Sequence, residues 1–287
     1  MRKFFALIVF CAFVNHSFAQ DENSDRIDKI TDSIENEGKM LHKSEWASWY
    51  GTDIFRAKCP DKVAQSGGYL SYDTGTGLKN IFFTKGDDPV VIATTSFGYD
   101  FNASNYSIDT LNRKFTPFEK TMFTIRHAAL KDVQKDTLFK FYKNTSLNPI
   151  PIINKGVKKV YFLTGTNLNG VVIFGNDYLM TFNLDNSIAS VKRLHKNIIS
   201  ISSKDTSVIA TMHSHLPETG DFITATDICT LMLYEKFTTW KTHYVISKNY
   251  VSIWDCKKDD LVILTMQAWK RIIDDQKQRN AADTTKK

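Results

Sequence analysis

The stretch TMHSHLPETGDFITATD, from Thr211 to Asp227, sets His213 and His215 one residue apart and a carboxylate, Asp227, twelve residues after the second histidine. On an extended strand, residues i and i+2 point to the same side. His213 and His215 can therefore face one point in space, with Ser214 turned away. The loop LPETGDFI lets the chain return, and Asp227 falls in the first turn of the helix expected next. Two imidazoles and a carboxylate form a ligand set for Zn2+ that leaves one position open for water. Such a metal lowers the pKa of its water and polarises a carbonyl, the chemistry of hydrolysis. The same residues also have plainer readings. The histidines can be hydrogen-bonded strand residues, Asp227 can stabilise a helix start, and Thr224 can be an N-cap and nothing more.

These residues need a strand before them and a helix after them. SVIATMHSH reads as a buried strand, and TATDICTLMLYEKFTTW as a helix capped by Thr224 or Thr226, with Ile228, Leu231 and Tyr234 at helical spacing. Upstream, KKVYFLTGT, GVVIFG and YLMTFNL are strand-like, while SVKRLHKNII is ambiguous. THYVISKNYVSIW reads as a hairpin turning near Lys248-Asn249, and DDLVILTMQAWKRIIDDQKQRN as an amphipathic final helix. The earlier half of the chain begins with a polar segment and a helix to about Lys43. SEWASWYGTDIF follows, an aromatic cluster that packs that helix on a sheet or forms a ligand-binding surface. GGYLSY, KNIFFT, PVVIATTSF and NYSIDTL are short strands. FTPFEKTMFTIRHAALKDVQKD reads as a helix with Thr116 as N-cap, Pro117 at the first position and Glu119 closing a capping box. SLNPIPIINKG (146–156), with two prolines and a glycine, is the expected boundary between the halves. The predicted fold class is α+β, an N-terminal helix plus a β-rich region followed by a mixed sheet flanked by helices.

With that strand, loop and helix, the motif resembles the JAB/MPN metallopeptidase family, whose members cut peptide or isopeptide bonds. The family pattern is His-x-His, a loop, then Ser-x-x-Asp. His213 and His215 match its histidines, Asp227 its aspartate, and Thr224 stands where its serine stands. The resemblance covers about residues 157–275. It implies Zn2+ held by His213, His215 and Asp227, with the Thr224 hydroxyl donating to the oxyanion of a tetrahedral intermediate. The substrate or binding partner it implies is a protein or peptide.

The family also uses an upstream glutamate, near Glu-x-x-Gly, to move the proton of the metal's water. Here NLNGVVIFG offers Asn167 and KKVYFLTG offers Lys158; no glutamate occurs between Glu119 and Glu218. Glu218, in the loop between ligands, can supply the base, or Asp177 or Asp185 can substitute. Otherwise the site binds metal without the family's reaction, or binds none. Two functions of different class therefore stand side by side: a secreted zinc metallopeptidase, and a catalytically inactive JAB/MPN-like binding module of the bacterial cell envelope. Cys229, close to Asp227, reads as a core thiol or half of a bridge with Cys256. His243 reads as a satisfied strand histidine, and His42, His127 and His195 have no ligand spacing around them.

The ends of the chain bound the compartment. Arg2 and Lys3 precede an apolar run, Phe4 to Val14, too short to span a bilayer, and small residues lead to a cleavage site after Ala19. Residues 1–19 read as a secretory signal peptide, which places the mature chain outside the cytoplasm, secreted or periplasmic. The remainder divides into an N-terminal α+β region of unassigned role (20–150), the JAB/MPN-like domain (151–278) and a polar tail (279–287). No later segment is long and apolar enough to be a membrane span. The net charge of +6, partly removed with the leader, is too weak and too dispersed for a nucleic-acid footprint.

Overall fold

A computed structural model of the chain describes residues 3–284, with side chains from 24 to 281. The leader predicted at 1–19 lies outside the described side chains, and residues 285–287 of the predicted tail lie outside the described residues. Helices and strands share the chain in an α+β fold.

Helix α1 (Lys3–Lys58) is followed by a four-stranded antiparallel meander, β1 (Ser66–Asp73), β2 (Leu78–Thr84), β3 (Val91–Phe97) and β4 (Tyr106–Asp109). Helix α2 (Pro117–Val133) follows. Its Thr116 side chain accepts from the Glu119 backbone, and the Glu119 carboxylate accepts from the Thr116 backbone, so the predicted capping box is present. A second antiparallel sheet contains β5 (Thr145–Asn154), β6 (Val157–Thr166), β8 (Tyr178–Phe182) and β9 (Ile188–Arg193), in that order. Strand β7 (Val171–Gly175) pairs instead with β10 (Ile198–Ser202). The last sheet has the order β11 (Ala210–Ser214), β12 (Thr242–Ile246), β13 (Tyr250–Asp255) and β14 (Asp260–Thr265). Helix α3 (Ala225–Tyr234) joins β11 to β12, and α4 (Met266–Thr284) ends the described chain.

Strands β11 and β12 are parallel, and all other pairs in their sheet are antiparallel. A parallel pair needs a crossover, and α3 provides it. The β11–α3–β12 unit therefore brings the carboxyl end of a strand against the start of a helix, a position where ligand sites form in such folds. The apolar floor beneath it is Val172 and Phe174 of β7, Ile228 and Leu231 of α3, Val245 of β12 and Trp254 of β13. Helix α1 packs on the other side of α3. Gly38 permits that approach, since a Cβ there would meet the Ile228 side chain at 2.6 Å.

Several expectations change. Helix α1 continues to Lys58, so SEWASWYGTDIF is helical, and its rings do the predicted packing: Trp46 stands edge-on to Phe97 of β3, and Phe55 stacks on Phe82 of β2. Residues 146–156, expected as a boundary, lie largely in β5, whose whole length pairs with β6. Because β5 is an edge strand, Pro149 and Pro151 need not donate to a second neighbour. SVIATMHSH is not a buried strand. Its strand begins at Ala210 and alternates, with Met212 61% exposed. The segment from Asp260 is not one helix. DLVILT pairs with β13, burying Leu261 and Ile263, before α4 begins and runs on through most of the expected tail. No disulfide joins Cys229 to Cys256; Cys59, Cys229 and Cys256 are all free thiols. Among the described residues no helix is long and apolar enough to cross a membrane.

Candidate metal centre

Thr211, His213 and His215 face inward from β11 and the residue after it, while Ala210, Met212 and Ser214 face out. The His215 backbone N–H donates to the Ile246 carbonyl, which carries the pairing one residue past the strand. Asp227 is the third residue of α3. Its Oδ2 accepts from the Thr224 backbone at 2.9 Å and from the Thr224 hydroxyl at 2.8 Å, and its own N–H donates to that hydroxyl oxygen. The capping box that starts the helix thus fixes the carboxylate at its mouth.

A further residue completes the group. His195, in the link between β9 and β10, places its Nε2 3.2 Å from His215 Nε2 and 3.2 Å from Asp227 Oδ2. His213 Nε2 is 3.1 Å from His215 Nε2 and 3.7 Å from Asp227 Oδ1. All four ligand atoms lie within 4.8 Å of one another, and all four residues are buried. A tetrahedron of metal–nitrogen bonds of ~2.05 Å has edges of about 3.3 Å, close to the 3.1 Å between His213 and His215 and the 3.2 Å between His195 and His215. Asp227 Oδ1 is buried and has no hydrogen-bond partner, an arrangement a cation would satisfy. The group could hold a metal ion.

Two of the three imidazoles are held from behind, while His215 Nδ1 is buried without a hydrogen-bond partner. With its Nε2 lone pair turned to a metal, His213 would carry its proton on Nδ1 and donate to His243 Nε2, 2.9 Å away. His243 would in turn donate from Nδ1 to the Thr211 hydroxyl, 2.7 Å away. His195 Nδ1 lies 3.4 Å from Asp177 Oδ2, and the other oxygen of Asp177 accepts from the Thr164 backbone at 2.8 Å. These are the outer contacts that orient metal-binding histidines. The link carrying His195 packs against Gly175. The φ of +87° there suits glycine, and a Cβ would come within 2.3 Å of the Asn197 carbonyl.

The electrostatics agree with a cation. Burial lowers His213 to about 4 and His243 to about 3, and lowers His215 as well, so their lone pairs are free. Burial also works against charge on His195, but Asp227 and Asp177 outweigh it and raise it to about 10. Burial opposes ionisation of Asp227 too, yet His195 and His213 hold it well below the usual carboxylate range. Asp177 is pushed up by burial. A cation at the centre would take the place of the proton that Asp227 and Asp177 hold on His195.

Of the residues predicted from sequence, the structure brings His213, His215 and Asp227 together. Thr224 adjoins them, but its hydroxyl is bonded to Asp227 and to the Thr226 hydroxyl. Glu218 is not brought in. It lies on the surface, 62% exposed, 3.4 Å from Lys196. Asp177 is behind His195 rather than across the centre, and Asp185 binds Ser187 in an exposed turn. Lys158 Nζ donates to Leu184 and Asn186, and the Asn167 backbone donates to Asn144. Sequence reasoning missed His195, Asp177 as its holder, and the part played by His243, which supports His213. A surface cavity of about 250 Å³, lined by His195, Lys196, Ser214, His215 and Thr219, abuts one side of the cluster.

Against protein-family models, curated proteins and solved structures, this chain has no match.

Proposed function

We propose that this chain is an exported, JAB/MPN-like zinc-binding protein whose metal centre is closed, and that it serves as a binding module of the cell envelope rather than as a peptidase. Three imidazole nitrogens and one carboxylate oxygen within 4.8 Å of one another are a donor set typical of zinc. Zinc activates water or a carbonyl only at a position the protein leaves open. The observation that carries the reading is His195 Nε2, 3.2 Å from both His215 Nε2 and Asp227 Oδ2, in the place a reacting water would need. The remaining machinery is also occupied elsewhere: Glu218 pairs with Lys196, and the Thr224 hydroxyl is bonded to Asp227. His195, His213, His215 and Asp227 would hold the ion, while Asp177 and His243 would orient the imidazoles. The reading of residues 1–19 as a signal peptide supports export, and a protein or peptide is the partner in keeping with the family resemblance.

The peptidase reading keeps one observation in its favour, the cavity beside His195 and His215. A substrate entering there would have to displace His195 before it met the ion. Elemental analysis of the purified chain and of His213→Ala tests the metal, with about one zinc per chain expected in the first and little in the second. The visible spectrum of the cobalt-substituted protein then separates the readings. A spectrum unchanged by added azide supports a closed centre; one that shifts with azide, together with hydrolysis of peptides, establishes the peptidase instead.

A further inference from the structure

Helix α1 carries a second concentration of chemistry that shares no residue with the metal centre. Glu45, Ser48, Trp49, Thr52 and Asp53 fall at i, i+3, i+4, i+7 and i+8, one face of the helix. That face lines a cavity of about 350 Å³, closed on the other side by Tyr69 of β1 and Asn148 of β5. The cavity is graded in depth. Asp53 is exposed at its mouth, Trp49, Thr52 and Tyr69 are half-buried, and Glu45 is 2% exposed.

Glu45 is the anomaly. Among the described residues it has no hydrogen bond and no ion pair; burial pushes it up to about 7, and Arg126 acts on it only at a distance. The Arg126 guanidinium stands instead over the Tyr69 ring, 5.6 Å from its centroid. Ser48 is engaged, bonded to the Ser44 carbonyl and the Ser71 hydroxyl. A buried carboxylate without a partner is unfavourable, and this one lies in the wall of a cavity large enough for a small molecule. Beside it are the ring of Trp49, whose face attracts cations, and the ring of Tyr69, one face of which Arg126 covers. Asp53 adds a carboxylate at the entrance, so that with Glu45 the two carboxylates of the lining outnumber the one nearby guanidinium, Arg126, which favours cations over anions.

We infer that the cavity between α1, β1 and β5 is a binding site for a small organic ammonium cation. Its charged nitrogen bonds to Glu45, its aliphatic part lies against Trp49 and Tyr69, and the Asn148 amide and Thr52 hydroxyl meet any polar substituent. This site is independent of whether zinc occupies the other one.

Calorimetric titration of the full chain with n-butylammonium, tetramethylammonium and 1,4-diammoniobutane tests it, with n-butanol as the uncharged match. At least one cation is expected to bind at one per chain in the millimolar range or tighter, and to alter tryptophan emission in the wild type but not in Trp49→Phe. Butanol is expected not to bind. Glu45→Gln is expected to weaken binding at least ~10-fold, the worth of one charge-assisted hydrogen bond. Failure of all three cations, equal binding of butanol, or unchanged affinity in a folded Glu45→Gln overturns the assignment. If Glu45→Gln does not fold by circular dichroism, Thr52→Phe, which fills the cavity from its half-buried wall, must abolish binding; retention of binding overturns the assignment equally.

Discussion

His195→Ala is the substitution that separates a closed centre from an open one. Structural zinc sites contribute ~10–16 kcal/mol in total, so an even share for each of four ligands is ~2.5–4 kcal/mol, or ~10²–10³-fold in affinity. His195 makes two of the short contacts of the group, to His215 and to Asp227, both at 3.2 Å, so an even share is a fair assignment. Competition against a chromophoric chelator at neutral pH measures the loss, and circular dichroism in chelator checks that the fold survives. The substitution also leaves Asp177 without its histidine, although Asp177 keeps the Thr164 N–H. That confounding effect is removed by rescue. In His195→Gly, free imidazole can enter from the adjoining cavity of about 250 Å³ and should restore most of the lost affinity. An affinity within ~10-fold of the wild type, or a loss that imidazole leaves untouched, would show that His195 is not a ligand, and the argument for a closed centre would fail with it.

Asp177→Asn keeps the size of the side chain but loses the charge behind His195, and should weaken metal binding ~10–100-fold in the same competition assay; no change would mean that the 3.4 Å contact does not orient the ring. Glu218→Gln, at an exposed pair with Lys196, should leave both the urea denaturation midpoint and the metal content unaltered; loss of metal would return Glu218 to the centre. In acid, Glu119 should dominate the behaviour of α2. Burial opposes its charge, but Arg113 in two bonds, the Thr116 backbone and the Tyr72 hydroxyl outweigh that and hold it at about 2 against an ordinary 4.5. A carboxylate depressed in the folded state contributes stability that is complete above about 4.5 and is lost as pH falls towards about 2. Glu119→Gln should remove that part of the pH dependence. An acid unfolding curve of the same shape in both proteins would refute it.

The residues that could be read in sequence are those whose partners are local. Thr116 with Glu119, and Thr224 with Asp227, each lie within one helical turn, and the capping boxes they form set both helix starts. His213 and His215 share a face because a strand repeats every second residue. His195 has no such signal. It reaches His215 across twenty residues of sequence, through a link between two strands that belong to different sheets. Asp177 and His243 enter the same way, by strand pairing and packing rather than by spacing. Proline in 146–156 marks breaks in most contexts, and only the position of β5 at a sheet edge makes it compatible with a strand. The segment from Asp260 mixes two periods, alternation up to Thr265 and helical repeat after it, so averaging over both hides the junction.

The same long-range assembly bears on why a cation would suit this group. Asp227 and Asp177 are both buried, and Asp227 Oδ1 has no hydrogen-bond partner. Buried charge of this kind is unfavourable unless it is paired, and apolar side chains of similar volume would serve stability better. Hydrogen bonds alone do not remove the difficulty, because the donors of Thr224 converge on Oδ2 and leave Oδ1 bare. An imidazolium at His195 answers it in part, by standing between Asp177 and Asp227, but it still leaves Oδ1 to the lone pair of His213 Nε2 at 3.7 Å. A divalent ion at the common point of the four ligand atoms would meet every one of these lone pairs at once. It would also tie the β9–β10 link to β11 and to the start of α3, three segments that no disulfide joins. Such an ion would depend on the contacts of His195 as much as on the His-x-His pair.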